Sequence, residues 1–480
     1  MMLRQSLLYL PAQIIGPLMQ LVAMVVWTHL VSDHTLGVIT LVIATHELLQ
    51  LGFIAWWSQF ALRFFGRYQA RDDAGRFYRT ENAVLAASLA AQSLIVIAIL
   101  LGVVAPDANG ALIAATVAYV ATRTVSLYIS ERARVLRQIG IYSVQQILGP
   151  AAGFAAGWLL IVLLGPAPEW VLAGYAAAQL LAVLVVLPGL AFEIRFRRPD
   201  REMLRAALRY GVPLIIGGAL SWLGLNAPRF IVNELLGVAA AGLFAVGYGL
   251  GQRAAAVAAM LVTAAAYPLA VRTMEEKGSA AAMRQLADNG ALLLAIVAPS
   301  VVGVFMLRHD VVTLLIAEPF RAVTLAVLPL SVLAGGIRSI RAHFGDQVFL
   351  LHSRTKLAMM VMGVDAVASV AFGLVATWFW GLVGAAAASV AAAIIAAITS
   401  FAVGLTRFHL QVPWLHTLRI ALAAAAMAAA LSLLPEARSI PLLIGSVGVG
   451  AAAYALVLAL VSLPWLMQLR ARRTSLSAAE

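Results

Sequence analysis

The stretch WGLVGAAAASVAAAIIAAITSFAVG, residues Trp380–Gly404, contains no charged residue and consists mainly of Ala, Val, Ile and Gly. An α-helix needs about 20 predominantly apolar residues to cross the hydrocarbon core of a bilayer, and this stretch is long enough. Its apolar residues follow one another without the period-two alternation of a strand. The stretch therefore predicts a transmembrane α-helix.

The composition extends this prediction to the whole chain. Hydrophobic residues make up 63% of the 480 positions and charged residues 11%, and the mean hydropathy is +0.95. Globular proteins are typically about 45–50% apolar and about 25% charged, so a water-soluble fold is excluded. The chain has no cysteine, which excludes disulfides, thiolate metal sites and a cysteine nucleophile.

Apolar windows between charged or Pro/Gly-containing breaks predict about 14 transmembrane helices in an all-α integral membrane protein. The first window begins soon after Arg4 and is too long for the core of a cleaved signal peptide, so we expect it to be retained. The predicted spans are 8–31, 37–60, 83–105, 111–130, 144–165, 170–191, 210–235, 240–268, 289–307, 322–345, 357–378, 380–404, 417–434 and 440–465.

The distribution of basic residues predicts the orientation of the chain. Most of the 33 Lys and Arg residues fall in alternate connecting segments, whereas the opposite segments contain only Arg308 and Arg438. Cytoplasmic loops carry an excess of Lys and Arg, so both termini are predicted to be cytoplasmic. The net charge of +12 is then a signal of topology, and nucleic acid is not a predicted partner. The predicted exterior loops are too short to form a domain.

An internal repeat predicts two lobes. Residues Arg4, Tyr9 and Gly16 recur 201 positions later as Arg205, Tyr210 and Gly217. Six spans separate the copies, so the repeat is parallel and related by an axis along the membrane normal. We expect an N-lobe at 1–191, a cytoplasmic linker at 192–209, a C-lobe at 210–404, and spans 13 and 14 with a basic tail at 405–480.

Span 7 carries the clearest candidate site. A charged residue at the centre of a spanning helix costs about 2.5–3.5 kcal/mol on insertion scales, so such residues face protein or water. Helical spacing places one charged residue and three other residues with polar groups on one face: Arg229 with Trp222, Asn226 and Asn233. Pro228 is expected to kink this helix beside the charge. The face predicts a polar cavity, and the alternative is that Arg229 pairs with a carboxylate.

Other intramembrane cations extend the candidate set. Gln252 and Arg253 in span 8 lie beside Gly247 and Gly251, a spacing that predicts close approach of another helix. Arg123 near the cytoplasmic end of span 4 is a further candidate, or its guanidinium reaches the interface. Near the end of span 10, Arg338 and Arg341 share a face and are either ligand contacts or topology residues.

Two carboxylates are predicted to lie inside spans. Glu47 in span 2 is flanked by His46, and Asp365 lies in span 11. A desolvated carboxylate near a cation has a tunable pKa, so either carboxylate is a candidate for binding a proton or a coupling ion. The alternative is a counter-ion for one of the arginines.

The first cytoplasmic loop combines arginines with aromatic residues. Arg63, Arg67 and Arg71 recur every fourth residue with Phe64 and Tyr68 between them, a pattern typical of a helix on anionic lipid. The positive-inside rule explains the same arginines. The chain contains no nucleotide-binding loop, zinc-ligand spacing or nucleophile elbow. We therefore predict a protein without a cofactor or metal, driven, if at all, by a proton or sodium gradient.

Several segments together resemble a known family. They are the opening segment Ser6–Leu36, the basic first loop, the Tyr210–Pro213 entry into the span that contains Arg229, and the Leu314–Phe320 turn. They resemble the Wzx-type polysaccharide flippases of the multidrug/oligosaccharidyl-lipid/polysaccharide exporter (MOP) superfamily. The resemblance covers most of the chain and implies a MATE-like fold of two pseudo-symmetric six-helix lobes plus two C-terminal helices.

The resemblance also implies a function. It implies an inner-membrane protein that moves a polyprenyl-diphosphate-linked oligosaccharide from the cytoplasmic to the periplasmic leaflet by alternating access, for surface polysaccharide biosynthesis. In that case Arg123, Arg229 and Arg253 would contact the anionic diphosphate, since guanidinium groups bind phosphate oxygens in pairs. This chain has Thr28 and His29 where a basic residue is frequent in span 1 of the family.

Other functions stay open at this level. A drug or metabolite antiporter of the same superfamily would favour an acidic cavity over an arginine-rich one. A membrane-embedded saccharide polymerase or ligase usually has a larger exterior loop. In a scaffold for other polysaccharide assembly proteins, the intramembrane arginines would bind no substrate and would need only carboxylate counter-ions. The sequence thus predicts a transporter and not an enzyme, with membrane lipids as its surroundings.

Overall fold

The computed structural model describes residues 2–70, 73–136, 138–190 and 198–477, so Arg71 and most of the first half of the predicted linker lie outside them. In the described residues every regular element is helical. The α-helices are α1 (Met2–Leu30), α2 (Asp33–Gln50), α3 (Trp56–Ala70), α4 (Ala74–Ile99), α5 (Gly110–Val135), α6 (Ile139–Leu164), α7 (Pro168–Val186), α8 (Arg201–Leu236), α9 (Val238–Met306), α10 (Arg308–Leu315), α11 (Glu318–Ile340), α12 (Gln347–Leu351), α13 (Thr355–Phe408), α14 (Trp414–Ser432) and α15 (Ile440–Ser477).

These helices correspond to the predicted spans. α9 and α13 each contain two helices joined at Gly278 (φ 78°) and Gly381 (φ 58°), positive φ values that glycine adopts readily. α2 continues into α3 through the π-helical segment Leu51–Ala55. Eleven described helices are long and apolar enough to cross a membrane, α13 being counted once, and Leu18–Leu30 is a shorter apolar helix. The predicted all-α integral membrane fold is confirmed.

The chain forms two compact units. One comprises Met1–Val246 and Met362–Ala392, and the other comprises Gly247–Val361 and Ala393–Glu480. We refer to them as unit 1 and unit 2. This division places α8 in the same unit as the first six spans. It does not test the sequential lobes drawn from the repeat, whose boundaries stay a prediction.

Unit 1 is built around an aromatic core and close helix contacts. Trp57, Phe65 and Phe77 are fully or almost fully buried in one cluster with residues of α5 and α8. At Gly211 of α8, an added Cβ atom would overlap the backbone of Trp56. In the packing of α3 against α8, the aromatic rings fill space and Gly211 admits the backbone of the neighbouring helix.

Unit 2 contains the helix contact that the glycines of span 8 predict. A Cβ atom on Gly251 would lie 2.6 Å from the backbone nitrogen of Val332, and one on Gly247 would lie 3.2 Å from the Cα of Thr324. The Ser331 hydroxyl of α11 donates to the Tyr248 carbonyl oxygen of α9 at 2.6 Å. The predicted close approach of another helix at this spacing is confirmed, and that helix is α11.

Side-chain caps fix the starts of three helices, α2, α5 and α8. The Ser32 hydroxyl accepts a hydrogen bond from the Thr35 N–H at 3.2 Å, and the Asn109 side chain accepts one from the Leu112 N–H at 2.7 Å. Asp200 does the same for α8 through the Met203 N–H at 2.9 Å. Each cap satisfies a backbone donor that the first turn of a helix leaves without a partner. Short turns therefore suffice between long helices.

Candidate functional site

On the predicted polar face of α8 in unit 1, Asn226 is hydrogen-bonded both to the backbone of Trp222 and to the side chain of Arg229. The Asn226 amide donates to the Trp222 carbonyl oxygen at 3.3 Å, and Arg229 Nη1 donates to Asn226 Oδ1 at 3.1 Å. Trp222 and Asn226 are buried, whereas Arg229 is half-buried. Asn226 therefore orients the guanidinium. Because an arginine exposed to hydrocarbon is costly, the accessible part of Arg229 is best placed against polar space.

The fourth residue of this face ties two helices together. The Asn233 amide donates to the Val103 carbonyl oxygen at 2.9 Å, at the π-helical end of the span that begins as α4. π-helical segments leave carbonyl groups outside the regular hydrogen-bond ladder, and Asn233 satisfies one of them. Its amide thus has a packing role within unit 1.

Asp365 packs directly on α8. Its side chain is buried, and a Cβ atom on Gly224 would lie 3.3 Å from the carboxylate carbon. The Ser369 hydroxyl donates to Asp365 Oδ1 at 3.4 Å. Pro228 lies inside the continuous helix α8 and has no N–H to donate to the carbonyl of Gly224. Unit 1 therefore brings a buried carboxylate to the helix that carries Arg229.

His46 lies in a buried polar network of three helices. Thr124 donates its hydroxyl hydrogen to Gln92 Oε1 at 3.1 Å, so the 3.2 Å contact between His46 Nε2 and the same hydroxyl has the histidine as donor. The ring of Tyr119 meets the imidazole edge to face at 5.8 Å. This network assigns the Nε2–H tautomer to His46.

Arg123 and Glu47 differ in burial from the other candidates of unit 1. Arg123 is half-buried, and Glu47 is exposed, although its place in span 2 predicted a buried carboxylate. Both charges act electrostatically on Tyr119, so they lie in the same neighbourhood as the His46 network. The correction at Glu47 follows from its helical phase: the neighbouring His46 faces the core, and Glu47 points to the other side of α2.

The candidates of unit 2 lie at the contact between α9 and α11. Gln252 packs against Gly335, where a Cβ atom would lie 3.2 Å from its side-chain oxygen. Arg338 is buried and donates from Nη1 to the Tyr248 hydroxyl at 3.5 Å. Arg253 is half-buried. Of the two arginines, Arg253 thus retains more accessible surface than Arg338.

Arg341 forms an ion pair inside unit 2. Its Nε lies 3.4 Å from Asp346 Oδ2, both side chains are buried, and the Ser400 hydroxyl donates to Asp346 Oδ1 at 2.6 Å. Sequence reasoning took Arg341 as a ligand contact or a topology residue and did not identify Asp346, which follows the predicted span 322–345. The ion pair gives Arg341 a partner within the protein.

A second buried ion pair also escaped sequence reasoning. Arg132 and Glu81 pair across α5 and α4, and the Tyr128 hydroxyl donates to the same Glu81 carboxylate. Tyr128 and Arg132 are four residues apart and so share a helical face, which was the available signal. Glu81 lay before the predicted start of its span. Within the described residues, no group of three His, Cys, Asp or Glu side chains is placed to hold a metal ion.

Long apolar helices with arginines and carboxylates buried among them define a multi-pass membrane protein of the transporter class. The structure matches the lipid II flippase MurJ in an inward closed conformation, over 96% of this chain and 100% of that one, with a TM-score of 0.78 and 12% identity. It also matches inward-facing and outward-facing conformations of a multidrug resistance MATE transporter of the MOP superfamily. The inward-facing structure has a TM-score of 0.56 and 17% identity, and the match covers 84% of this chain and 98% of that one. The outward-facing structure has a TM-score of 0.56 and 16% identity, and the match covers 85% of this chain and 95% of that one.

The chain belongs to the polysaccharide biosynthesis protein family, whose model matches residues 2–274, more than half of the chain. No curated protein sequence matches it significantly. The family and the MOP-superfamily fold confirm the resemblance seen in the sequence. Both family and fold are those of transporters.

Proposed function

We propose that this protein is a flippase that moves a polyprenyl-diphosphate-linked oligosaccharide from the cytoplasmic to the periplasmic leaflet by alternating access. The observation that carries the proposal is Arg229, a half-buried guanidinium oriented by Asn226 inside a spanning helix. Fixed guanidinium donors can replace the hydration that a diphosphate loses on entering the membrane. The family description and the likeness to a lipid II flippase support the same substrate class.

The proposal assigns roles to the candidate residues. Arg229 and Arg123 in unit 1 and Arg253 in unit 2 are each half-buried, and each is a candidate contact for the diphosphate; Asn226 orients Arg229. Arg338 and Arg341 are buried against partners of their own unit and would support the helices. The protein would lie in the inner membrane with both termini in the cytoplasm, and other polysaccharide assembly proteins would be its partners.

A second candidate function is cation-coupled antiport of a drug or metabolite, as in MATE transporters. Asp365 favours it, because a carboxylate buried beside Gly224 and Ser369 can bind a proton or a sodium ion. The same residue could couple an ion gradient to flipping. The two functions differ in the molecule that is transported, so a transport assay with each substrate distinguishes them.

The test is translocation of a fluorescent polyprenyl-diphosphate saccharide in proteoliposomes. We expect flipping by the intact protein, and a loss on the order of tenfold or more in Arg229→Gln and Arg253→Gln, since each variant removes a charge-assisted phosphate contact. Arg438→Gln is the matched control, because Arg438 is exposed between α14 and α15. It should flip at the normal rate.

Two results would overturn the proposal. One is the absence of lipid-linked saccharide movement by a folded protein that exchanges small cations or drugs in the same vesicles. The other is equal activity of the intact protein, Arg229→Gln and Arg253→Gln. A sodium or proton dependence that disappears in Asp365→Asn would identify the coupling residue whichever substrate is carried.

A further inference from the structure

Helices α3 and α8 pack together where α3 ends and α8 begins, both in unit 1. The rings of Phe64 and Tyr210 meet edge to face with 5.1 Å between their centres. Met203 and Ala207 of α8 are buried in the same cluster as Trp57 and Phe60 of α3. This end of the two helices is predicted to be cytoplasmic. This packing fixes the ends of the two helices and so fixes the positions of the side chains on their outer surface.

Four exposed arginines lie on the outer surface of these helix ends. They are Arg63 and Arg67 of α3 and Arg205 and Arg209 of α8. The Cζ of Arg63 lies 5.9 Å from the centre of the Tyr210 ring, and the Cζ of Arg67 lies 5.3 Å from that of Phe64. Cation–π contact holds a guanidinium by its face and leaves the N–H groups at its edge directed outward. An anion can therefore bind these edges.

The exposed stripe of α8 changes character along the helix. Its residues lie at the i, i+3, i+4 and i+7 spacings of one helical face: Arg201, Arg205, Leu208, Arg209, Val212 and Ile216. The stripe is basic at the start of the helix and aliphatic from Val212 onward. On α3, exposed Leu62 likewise comes just before Arg63. Such a change from aliphatic to cationic fits the boundary between lipid acyl chains and phosphate groups.

The two acidic residues at the start of α8 lie close to Arg76 of α4. Asp200 accepts a hydrogen bond from Arg76 Nε at 2.9 Å, and Glu202 also acts electrostatically on Arg76. Arg76 lies at the start of α4. The Asp200 carboxylate at the start of α8 is therefore paired with Arg76 of α4, and the four exposed arginines outnumber the one exposed carboxylate of Glu202, which leaves a positive surface.

We propose that Arg63, Arg67, Arg205 and Arg209 form a binding surface for anionic phospholipid headgroups, here called the arginine surface. Guanidinium groups pair with phosphate oxygens in a bidentate manner, and basic residues near a membrane surface attract anionic lipid. The proposed ligand is a phospholipid because exposed aliphatic side chains lie next to the arginines on both helices. These are Leu62, Leu208 and Val212, and the acyl chains of a phospholipid would cover them. This proposal does not depend on the transported substrate.

The experiment uses the absence of cysteine in the chain. Gly66 is exposed between Arg63 and Arg67, and an added Cβ atom meets nothing within 4 Å, so Gly66→Cys with a polarity-sensitive dye reports on the arginine surface. The full protein is placed in nanodiscs of phosphatidylcholine with increasing phosphatidylglycerol. Gly140→Cys, also exposed and open, is the reporter control. We expect a saturable dye response at Gly66 and none at Gly140.

Variants on the neighbouring helix test the geometry without touching the reporter. Arg205→Gln/Arg209→Gln should raise the phosphatidylglycerol fraction at half response at least about twofold or abolish saturation, and Arg205→Lys/Arg209→Lys should raise it much less. The matched control is Arg354→Gln/Lys356→Gln, which removes two exposed charges of unit 2. It should leave the midpoint unchanged.

Three outcomes would overturn the proposal. The first is an unchanged midpoint in Arg205→Gln/Arg209→Gln. The second is an equal shift in the control of unit 2, which would mean general attraction by net charge. The third is a response to trace polyprenyl diphosphate and none to phosphatidylglycerol, which would assign the surface to the substrate. Binding of phosphatidylglycerol with a failed translocation assay would leave this proposal standing and remove the proposed function alone.

Discussion

Arg132 and Glu81 form an ion pair with 3.6 Å between Nη1 and Oε1, and their side chains are 1% and 0% exposed. The Cζ of Arg132 lies 3.8 Å from the centre of the Phe65 ring and 5.4 Å from that of Phe77. Among the described residues no hydrogen-bond acceptor meets the guanidinium nitrogens. Aromatic faces and one carboxylate thus take the place of water around a buried cation.

Removing one member of this pair should destabilise unit 1 strongly. Glu81→Ala leaves the Arg132 charge buried, and breaking such a pair costs about 3–5 kcal/mol. Replacing both residues by apolar ones, in Glu81→Leu/Arg132→Met, should restore most of the stability. Thermal unfolding of the purified variants followed by intrinsic fluorescence measures both effects.

The control for this prediction is the neighbouring pair Arg134 and Glu131. Its atoms are closer, at 2.6 Å, but the side chains are 42% and 32% exposed. Exposed pairs contribute about 0–1 kcal/mol, so Glu131→Ala should have little effect. Similar unfolding temperatures for Glu81→Ala and Glu131→Ala would show that the buried pair does not stabilise the unit.

Asp200 predicts a loss of stability in acid. The Met203 N–H and the Arg76 guanidinium hold the pKa of the Asp200 carboxyl below its usual range. Because this pKa is lower in the folded than in the unfolded chain, the stabilisation is complete above the unfolded value of about 3.9. It is lost as the pH falls through the folded value.

Two substitutions separate the cap of α8 from the charge. Asp200→Ala should cost about 0.5–2 kcal/mol at neutral pH, whereas Asp200→Asn keeps a comparable cap. Both variants lack the titrating carboxyl, so their unfolding temperatures should fall less than that of the intact protein between about pH 5 and pH 3. Unfolding temperatures measured across this range test the point, and parallel curves for all three proteins would contradict it.

The fold was largely predictable because apolar runs are local and long. The break at Gly381 falls at the second residue of predicted span 12, two residues after the predicted gap, at a glycine that adopts its positive φ readily. The start of α4 was placed too late. Arg76, Arg79 and Glu81 resemble a loop in sequence, and only tertiary packing shows that Glu81 is neutralised by Arg132 inside the helix.

The candidate site was predictable where it lies on one helix. Helical spacing put Asn226 and Arg229 on one face of α8, and their side chains are hydrogen-bonded. Spacing could not find contacts between distant segments, such as Asp346 with Ser400. It also failed at Glu47, because the apolar residues around a charge do not reveal which side of a helix faces the core.

The contact of α9 with α11 predicts an effect of added volume at Gly251. A Cβ atom there would lie 2.6 Å from the Val332 nitrogen and 2.7 Å from the Ser331 Cβ, and the first of these is backbone that cannot rotate away. Gly251→Ala should cost about 1–3 kcal/mol through overpacking. Gly445→Ala, where an added Cβ meets nothing within 4 Å, is the control. Thermal unfolding distinguishes them, and equal unfolding temperatures would show that α9 and α11 are more loosely packed.

Arg341 and Arg229 should respond oppositely in stability and transport. Arg341→Gln leaves Asp346 buried without its 3.4 Å partner, and we expect a loss of about 3–5 kcal/mol in stability. The double variant Arg341→Gln/Asp346→Asn should recover much of it, because the carboxylate charge is removed together with the guanidinium charge. Arg229 is half-buried, so Arg229→Gln should cost less stability while reducing flipping of the polyprenyl-diphosphate saccharide by about tenfold. Unfolding temperature and flipping rate, measured on the same preparations, distinguish a residue that stabilises the helices from one that contacts the substrate. If Arg341→Gln were stable but inactive and Arg229→Gln active, the two residues would exchange roles, and the diphosphate contact would move to the end of α11.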